Sequence, residues 1–190
     1  MTLTRHQQRL LKEIEQIAEI AKVDYPRIEE GYEPEARTTI LQLMRDQIVR
    51  GHVIMKYTLI DELLTDIICD YYFKRREQTY RRLWKTKPFR VFVHYIMDET
   101  YPLKKLSIVH AIRAVPKDVR SAINRINDVR NDLAHSFFPQ NRRRYVQGKK
   151  VTYDGVHLFT TGGVTRFTND FDLAFAYLWK RAFRVAYRVT

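Results

Sequence analysis

The feature that most constrains the fold of this chain is a helical apolar periodicity in its first half. From Glu35 to Phe73 the sequence is typical of a helix, and in the second half of this stretch apolar side chains recur every three or four positions. That stripe consists of Val53, Tyr57, Ile60, Leu64, Ile67 and Tyr71. We therefore predict a long amphipathic helix over residues 35–73, with Gly51 as the candidate for a break or kink.

The same spacing, together with breaker residues, predicts further helices. They cover about residues 6–22, 89–99, 103–114, 116–135 and 164–187. Between the last two, residues 151–160 are predicted to form a β-hairpin, because Asp154-Gly155 supplies a two-residue turn between β-branched and aromatic residues. Gly162-Gly163 is expected to end this hairpin.

These elements predict a mainly α fold, an antiparallel helical bundle with one small β-hairpin near 150–160. Residues 1–34 are expected to form an amphipathic helix and a linker, and residues 35–190 a helical domain with a hairpin insertion and a C-terminal helix. The six glycines and six prolines in 190 residues are too few for a disordered or all-β chain.

Charge is unevenly distributed along the chain, whose formal net charge is +12 at pH 7. Residues 1–35 hold eight acidic and five basic side chains, whereas the remainder holds 14 acidic and 29 basic ones. A domain this basic favours a polyanionic partner. The alternative is a basic soluble protein that has no such partner.

Several classes of protein are disfavoured. No run approaches the roughly 18 uncharged apolar residues that span a bilayer, and the N-terminal residues alternate charge with Leu and Ile, unlike a signal peptide. Cys69 is the sole cysteine, so a reducing cytoplasm is the expected compartment, without membrane association. The histidines lack metal-ligand spacing and no P-loop or GxGxxG occurs, so we expect no metal and no cofactor.

Two basic segments with interleaved aromatic residues are candidates for RNA binding. Residues 74–90 hold eight basic side chains against Glu77, and residues 133–153 hold no acidic residue. Bases and aromatics together can attract phosphates and stack nucleobases. The alternative is a solvated loop or helix whose aromatic side chains pack inward. The candidate RNA-binding residues are Arg81, Arg82, Trp84, Arg142, Arg143, Arg144, Lys149 and Lys150.

The hexapeptide Arg130-Asn131-Asp132-Leu133-Ala134-His135 is the main candidate for chemistry. On a helical wheel Arg130 falls near the centre of the apolar arc of the 116–135 helix, where a guanidinium is costly unless it is paired or opens to a cleft. Asp61 is the first candidate partner for Arg130 and Glu62 the second. The alternative is a buried structural ion pair without chemistry.

His135 is suited to proton transfer near neutral pH, and Asn131, one helical turn earlier, is placed to orient its imidazole. Positions 130 and 135 lie about 140° apart on an ideal helix. They can meet at one phosphate only if the helix unwinds near His135 or if a second subunit of a two-fold dimer completes the cleft. The alternative is that His135 is an ordinary histidine at the end of a helix, with no part in chemistry.

The motif R-N-D-L-A-H resembles the R-x(4–6)-H signature of the HEPN superfamily. The helical pattern around the motif, over about residues 35–140, also resembles that of the family. The chain further resembles the mannitol operon repressor-like branch of the family, for which catalysis is not assumed. The family implies a helical bundle that dimerises with the motif in a cleft, and active members are metal-independent endoribonucleases of toxin–antitoxin and antiviral defence systems. By this resemblance Arg130 would polarise the scissile phosphate, His135 would transfer protons and Asn131 would position them.

One position departs from the family pattern. Toxins that are paired with a minimal nucleotidyltransferase antitoxin carry a modified tyrosine two residues after the histidine, where this chain has Phe137. Silencing by adenylylation at that position is therefore not expected.

The chain is interpreted as an RNA-cleaving homodimer, with an antitoxin or regulatory protein as a further partner. The alternative is a non-catalytic HEPN-like protein that binds RNA or a regulatory partner.

Overall fold

The computed structural model describes residues 3–22, 34–73, 80–135 and 151–183, and for residues 34, 35, 80, 81 and 135 the backbone alone. The helices are α1 (Arg5–Ala21), α2 (Pro34–Phe73), α3 (Tyr80–Leu83), α4 (Lys87–Phe92), α5 (Pro102–Ile112), α6 (Lys117–His135) and α7 (Thr161–Phe183). A π-helical segment, Val93–Met97, follows α4, and the strands β1 (Thr152–Tyr153) and β2 (Val156–His157) precede α7. The predicted mainly helical class with one small hairpin is confirmed.

The chain divides into two compact units, and the boundaries fall within α2, α6 and α7. The first unit comprises Met1–Met55 and Asp128–Asn169, and the second comprises Lys56–Asn127 and Asp170–Thr190. The domain boundary that we predicted after residue 34 adjoins residues 23–33, which lie outside the described residues, and it stays a prediction.

In the first unit, α1 begins at a reciprocal capping box. Gln7 N–H donates to Thr4 Oγ1 at 3.3 Å, and Thr4 N–H donates to Gln7 Oε1 at 3.0 Å. The helix ends at Lys22, which has a left-handed φ of 54°. Glu13 of α1 lies 3.7 Å from Arg45 of α2, so α1 packs against α2 within the first unit. The predicted stripe is buried at Leu10, Ile14, Ile17, Ala18 and Ala21.

The helix α2 continues through Gly51 without interruption, so of the two candidates, a break or a kink, the break is excluded. Gly51 is exposed, whereas its neighbours Val49 and Val53 are buried. A mid-helix glycine costs about 1 kcal/mol relative to alanine. Tertiary packing of the flanking turns is the usual source of helix stability in proteins, and here it offsets that cost.

The predicted hairpin is confirmed, and its turn lies at Asp154-Gly155. Both turn residues have positive φ, 47° and 76°, as a type I′ turn requires. Tyr153 pairs with Val156 across the strands and is 2% exposed. Its ring meets Phe167 of α7 edge to face at a centroid distance of 5.5 Å. The hairpin is therefore anchored by an aromatic contact to the helix that follows it.

Gly162 and Gly163 belong to the first turn of α7, so the prediction that they end the hairpin is wrong. A Cβ atom on Gly163 would lie 2.2 Å from the carbonyl oxygen of His157 and 2.7 Å from the Cα of Leu158. The backbone that follows β2 passes so close to Gly163 that any larger residue at this position would collide with it. Glycine is therefore required at position 163.

The second unit is built around buried residues of α2, α4, α5, α6 and α7. Its core contains Ile60, Leu64, Ile67, Ile68, Phe89, Met97, Leu106, Val109, Val119, Ile123, Ile126, Phe171, Ala174 and Leu178. Arg125 of α6 binds both carboxylate oxygens of Asp170 of α7, at 2.7 and 2.8 Å. This bidentate geometry is the strongest form of an arginine–carboxylate pair and fixes the two helices relative to each other within the unit.

Candidate functional site

Arg130 lies in the last two turns of α6, within the first unit. Its neighbours Val129 and Leu133 are each 2% exposed, whereas Arg130 itself is half-buried. Its Nη1 donates a hydrogen bond of 3.2 Å to Oδ1 of Asn131, which is also half-buried. Arg130 is therefore not sealed in the core, although its position on the helix lies within the apolar arc. Ala134, one turn after Arg130, is exposed.

His135 is the last residue of α6, and its side chain lies outside the described residues. The helix is regular up to this residue, so positions 130 and 135 are separated by about 140° around the axis and about 7.5 Å along it. Unwinding near His135 was one of two routes by which the two residues might have met, and α6 shows none within the described residues, which end here at position 135. The other route, a partner subunit, stays a prediction.

Arg50 of α2 is the residue of this site that the sequence did not indicate. Its Nη1 donates a hydrogen bond of 3.2 Å to the carbonyl oxygen of Leu133, 83 residues later in the chain. The last four carbonyls of a helix have no partner within the helix, and a cation near them also complements the helix dipole. The Arg50 guanidinium carbon lies 5.5 Å from the ring centre of Phe159, which is 4% exposed.

The contacts of Arg50 join three segments of the first unit at the end of α6: α2, α6 and the chain after β2. One signal in the sequence points to it in retrospect. Arg50 lies between Val49 and Val53, which are buried, so it is a charged residue beside an apolar stripe, as Arg130 is. Both arginines are half-buried, and both act on the last two turns of the helix that ends at His135.

Asp61 and Glu62, the predicted partners of Arg130, belong to the second unit. Asp61 receives a hydrogen bond of 2.8 Å from Nζ of Lys105, a residue only 3% exposed, and this pairing was not predicted. Glu62 is exposed. The pairing of either carboxylate with Arg130 stays a prediction.

Most of the predicted RNA-binding residues lie outside the part of the chain that the structure describes. Arg142, Arg143, Arg144, Lys149 and Lys150 lie outside the described residues, as does the side chain of Arg81. In the second unit Arg82 is exposed, and Trp84 is 39% exposed. The Trp84 ring meets Phe89 nearly perpendicularly at a centroid distance of 5.3 Å and His94 at 5.5 Å. Trp84 is therefore partly engaged within its own unit, with part of its ring accessible.

The described part of the chain has neither a metal-binding cluster nor a membrane-spanning helix. Residues 3–22, 34–73, 80–135 and 151–183 contain no group of three or more His, Cys, Asp or Glu side chains that could hold a metal ion. Within the same ranges, none of the helices is both long enough and apolar enough to cross a membrane.

No protein-family model matches this chain, and neither a curated protein nor a solved structure matches it. The resemblance to the HEPN superfamily therefore rests on the residues of the motif, and membership of that superfamily stays a prediction.

Proposed function

We propose that this protein is a metal-independent endoribonuclease of the HEPN type that acts as a homodimer. The observation that carries this proposal is the state of Arg130: a half-buried guanidinium, held by Asn131 at 3.2 Å, in the last two turns of a helix that ends in histidine. An arginine that is neither sealed in the core nor freely solvated is suited to bind a phosphate, because its planar fork matches the phosphate oxygens.

In this proposal Arg130 binds a non-bridging oxygen of one RNA phosphodiester. The 2′-hydroxyl of the preceding nucleotide attacks phosphorus and loses its proton to a base, while the 5′-oxygen of the following nucleotide leaves and takes up a proton. His135 performs proton transfer in this step, and the products are a 2′,3′-cyclic phosphate and a 5′-hydroxyl. Positioned acid–base catalysis of this kind contributes roughly 10²- to 10⁴-fold to a rate.

The regular helix supports a composite site rather than a site within one subunit. Positions 130 and 135 of one α6 face directions about 140° apart, so a single regular helix does not aim both at one phosphate. A two-fold dimer sets two copies of α6 against each other, and the Arg130 of one copy can then act together with the His135 of the other. Arg50 stabilises the end of α6 in each copy through its bond to Leu133.

The charge of the chain supports RNA as the partner. The formal net charge is +12, and phosphate contacts by basic residues are the main source of affinity for nucleic acid. The candidate basic residues from Arg142 to Lys150 follow the motif directly and would extend the phosphate-binding surface. A toxin–antitoxin or antiviral defence setting, with an antitoxin or regulatory protein as a further partner, is the biological context that the proposal implies.

The test is cleavage of a mixed RNA by the purified chain in EDTA, compared with Arg130→Ala, His135→Ala and Arg166→Gln. Arg166→Gln is the matched control, because it removes one positive charge in the same unit from an exposed pair with Asp154. We expect cleavage in EDTA, a loss of at least roughly 100-fold in both motif variants, and near-normal activity in the control. Fragments should carry cyclic phosphate ends.

Two outcomes would contradict the proposal. RNA that is bound at low salt but never cut would favour the alternative, a non-catalytic RNA-binding protein. Cleavage that persists in both motif variants would indicate a contaminating nuclease or a different site.

A complementation experiment tests the composite site separately. Arg130→Ala and His135→Ala chains, each inactive alone, are mixed under conditions in which subunits exchange. Random exchange places both intact residues together in one of the two sites of each heterodimer, so roughly a quarter of the wild-type activity should return. No recovery, with exchange verified by mass-tagged subunits, would place both residues in one subunit or neither in the site.

A further inference from the structure

A cavity in the second unit, between α5 and the first half of α6, has a lining that fits an anionic ligand. Its volume is about 450 Å³, within the range of roughly 300–1,000 Å³ that small-molecule sites occupy. The lining contains two cationic side chains, Lys117 and Arg120, and no Asp or Glu. The polar residues of the wall are Ser107, His110, Lys117, Arg120, Ser121 and Asn124.

Arg120 of the cavity wall carries a charge that is only partly satisfied by the protein. Its Nε is buried and, among the described residues, has no hydrogen-bond partner. A buried donor of a charged group is costly to leave unpaired, and native proteins keep few such groups without a reason. An anion in the cavity would offset the charge of this guanidinium.

His110 is oriented by a backbone group outside the cavity wall. The N–H of Val115 donates a hydrogen bond of 2.9 Å to Nδ1 of His110. Since Nδ1 must accept in this bond, the ring proton of the neutral imidazole resides on Nε2. The histidine thereby contributes a further N–H donor to a wall that already holds the Ser121 hydroxyl and the Asn124 amide.

The cavity adjoins the N-terminus of α6, where Lys117 is the first residue of the helix and Arg120 the fourth. The first N–H groups of a helix have no acceptor within it, and the dipole there favours negative charge. Leu103 and Leu106 of α5 form an apolar portion of the same wall. The cavity therefore combines a cationic end with a surface that a planar or apolar ligand body can cover.

We propose that this cavity binds a small phosphate monoester of about the size of a nucleoside 5′-monophosphate. A phosphate monoester carries a charge of about −1.5 to −2 at pH 7, which matches the two cations of the wall. The diester phosphates within an RNA strand each carry a single charge and match it less well. This inference does not depend on ribonuclease activity. All of the residues that line the cavity belong to the second unit, whereas the motif residue Arg130 belongs to the first.

The test is a calorimetric titration of the full chain with adenosine 5′-monophosphate, inorganic phosphate and adenosine. We expect one saturable site for the monophosphate, weaker binding of inorganic phosphate and none of adenosine. Arg120→Gln and Lys117→Gln should each weaken the monophosphate by at least roughly tenfold, because each removes a charge-assisted hydrogen bond. Lys104→Gln, which removes an exposed charge of α5 outside the cavity wall, should change affinity less than twofold.

A second variant guards against loss of folding. Ser107 is exposed, and its hydroxyl donates only to the Leu103 carbonyl within α5, so Ser107→Phe should preserve the helix and fill the cavity. It should abolish monophosphate binding with an unchanged circular dichroism spectrum, and Arg130→Ala should bind normally. The methyl NMR signals of Leu103 and Leu106 should shift with the monophosphate.

Three results would overturn the inference. The first is that the monophosphate does not bind at millimolar concentration. The second is that Lys104→Gln weakens monophosphate binding as much as Arg120→Gln and Lys117→Gln do, and the third is that an unphosphorylated RNA oligonucleotide binds instead of the monophosphate and requires Arg120.

Discussion

The guanidinium of Arg50 donates a hydrogen bond of 3.2 Å to the carbonyl oxygen of Leu133, across 83 residues of sequence. This contact caps the end of α6 from another helix, two residues before His135. It means that the geometry of the proposed catalytic motif depends on a residue of α2 as well as on the motif itself.

Replacing Arg50 with Gln should destabilise the protein by about 1.5 kcal/mol, the lower end of the range for a hydrogen bond that involves a charged group, since Arg50 is only half-buried. The loss should be concentrated at the end of α6, because the hydrogen bond from Arg50 to the Leu133 carbonyl would be removed there. Urea unfolding gives the free energy, and hydrogen exchange of amides 130–135 gives the location. Gln47→Ala, at an exposed position of the same helix, is the control and should leave exchange at 130–135 unchanged. Equal exchange in wild type and Arg50→Gln would contradict this assignment.

Replacing Gly163 with Ala should cost about 3 kcal/mol, because the added methyl would overlap the His157 carbonyl oxygen and force the backbone after β2 to move. Gly162→Ala is the matched control, since its Cβ would meet its nearest atom at an ordinary 3.6 Å. Thermal unfolding of the two variants should therefore differ by several degrees. Similar melting temperatures for both would show that the two segments are not in close contact.

Gly51→Ala should stabilise the protein by about 0.8 kcal/mol, since it removes the entropic penalty of glycine within a helix and meets open space. Gly155→Ala also meets open space, but its φ of +76° is strained for alanine, and it should destabilise by about 1 kcal/mol. Chemical denaturation measures both. A gain at both positions, or a loss at both, would contradict the backbone conformations described.

Replacing Lys105 with Met should destabilise the protein by about 2 kcal/mol, because Asp61 would lose the cation 2.8 Å away while water could replace it only in part at a side chain that is 30% exposed. The double variant Lys105→Met with Asp61→Leu should recover much of that loss, since neither charge then remains unpaired. Lys104→Met, an exposed neighbour, is the control. A double-mutant cycle gives the coupling between the two residues, and additive effects would show that they do not interact.

The helices and the hairpin could be predicted because their signals are local. An apolar period of three to four residues defines α1, the second half of α2 and α6, and Asp154-Gly155 defines the hairpin turn through its backbone preferences alone. Gly51 and Gly163 show the limit of such signals. A glycine in the sequence marks conformational freedom, but only packing decides whether that freedom is used.

The candidate site was predictable only in part for the same reason. The unusual position of Arg130 on the helical wheel could be read from the sequence, because a helix fixes which residues share a face. Its partners could not, since the sequence contains several carboxylates and amides of suitable chemistry. The structure gives Arg130 the adjacent Asn131 as one hydrogen-bond partner, and it gives Asp61 a bond to Lys105, 44 residues away.

The sequence by itself thus determined the helical class, the limits of most elements, the basic character of the chain and the motif that ends α6. Tertiary structure alone decided that Arg50 reaches the end of that helix, that Lys105 is buried against Asp61, and that a cationic cavity lies between α5 and α6. The physical reason is that periodicity and turn chemistry act over a few residues. Ion pairs, long-range hydrogen bonds and cavities instead arise from distances between residues that the chain brings together only on folding.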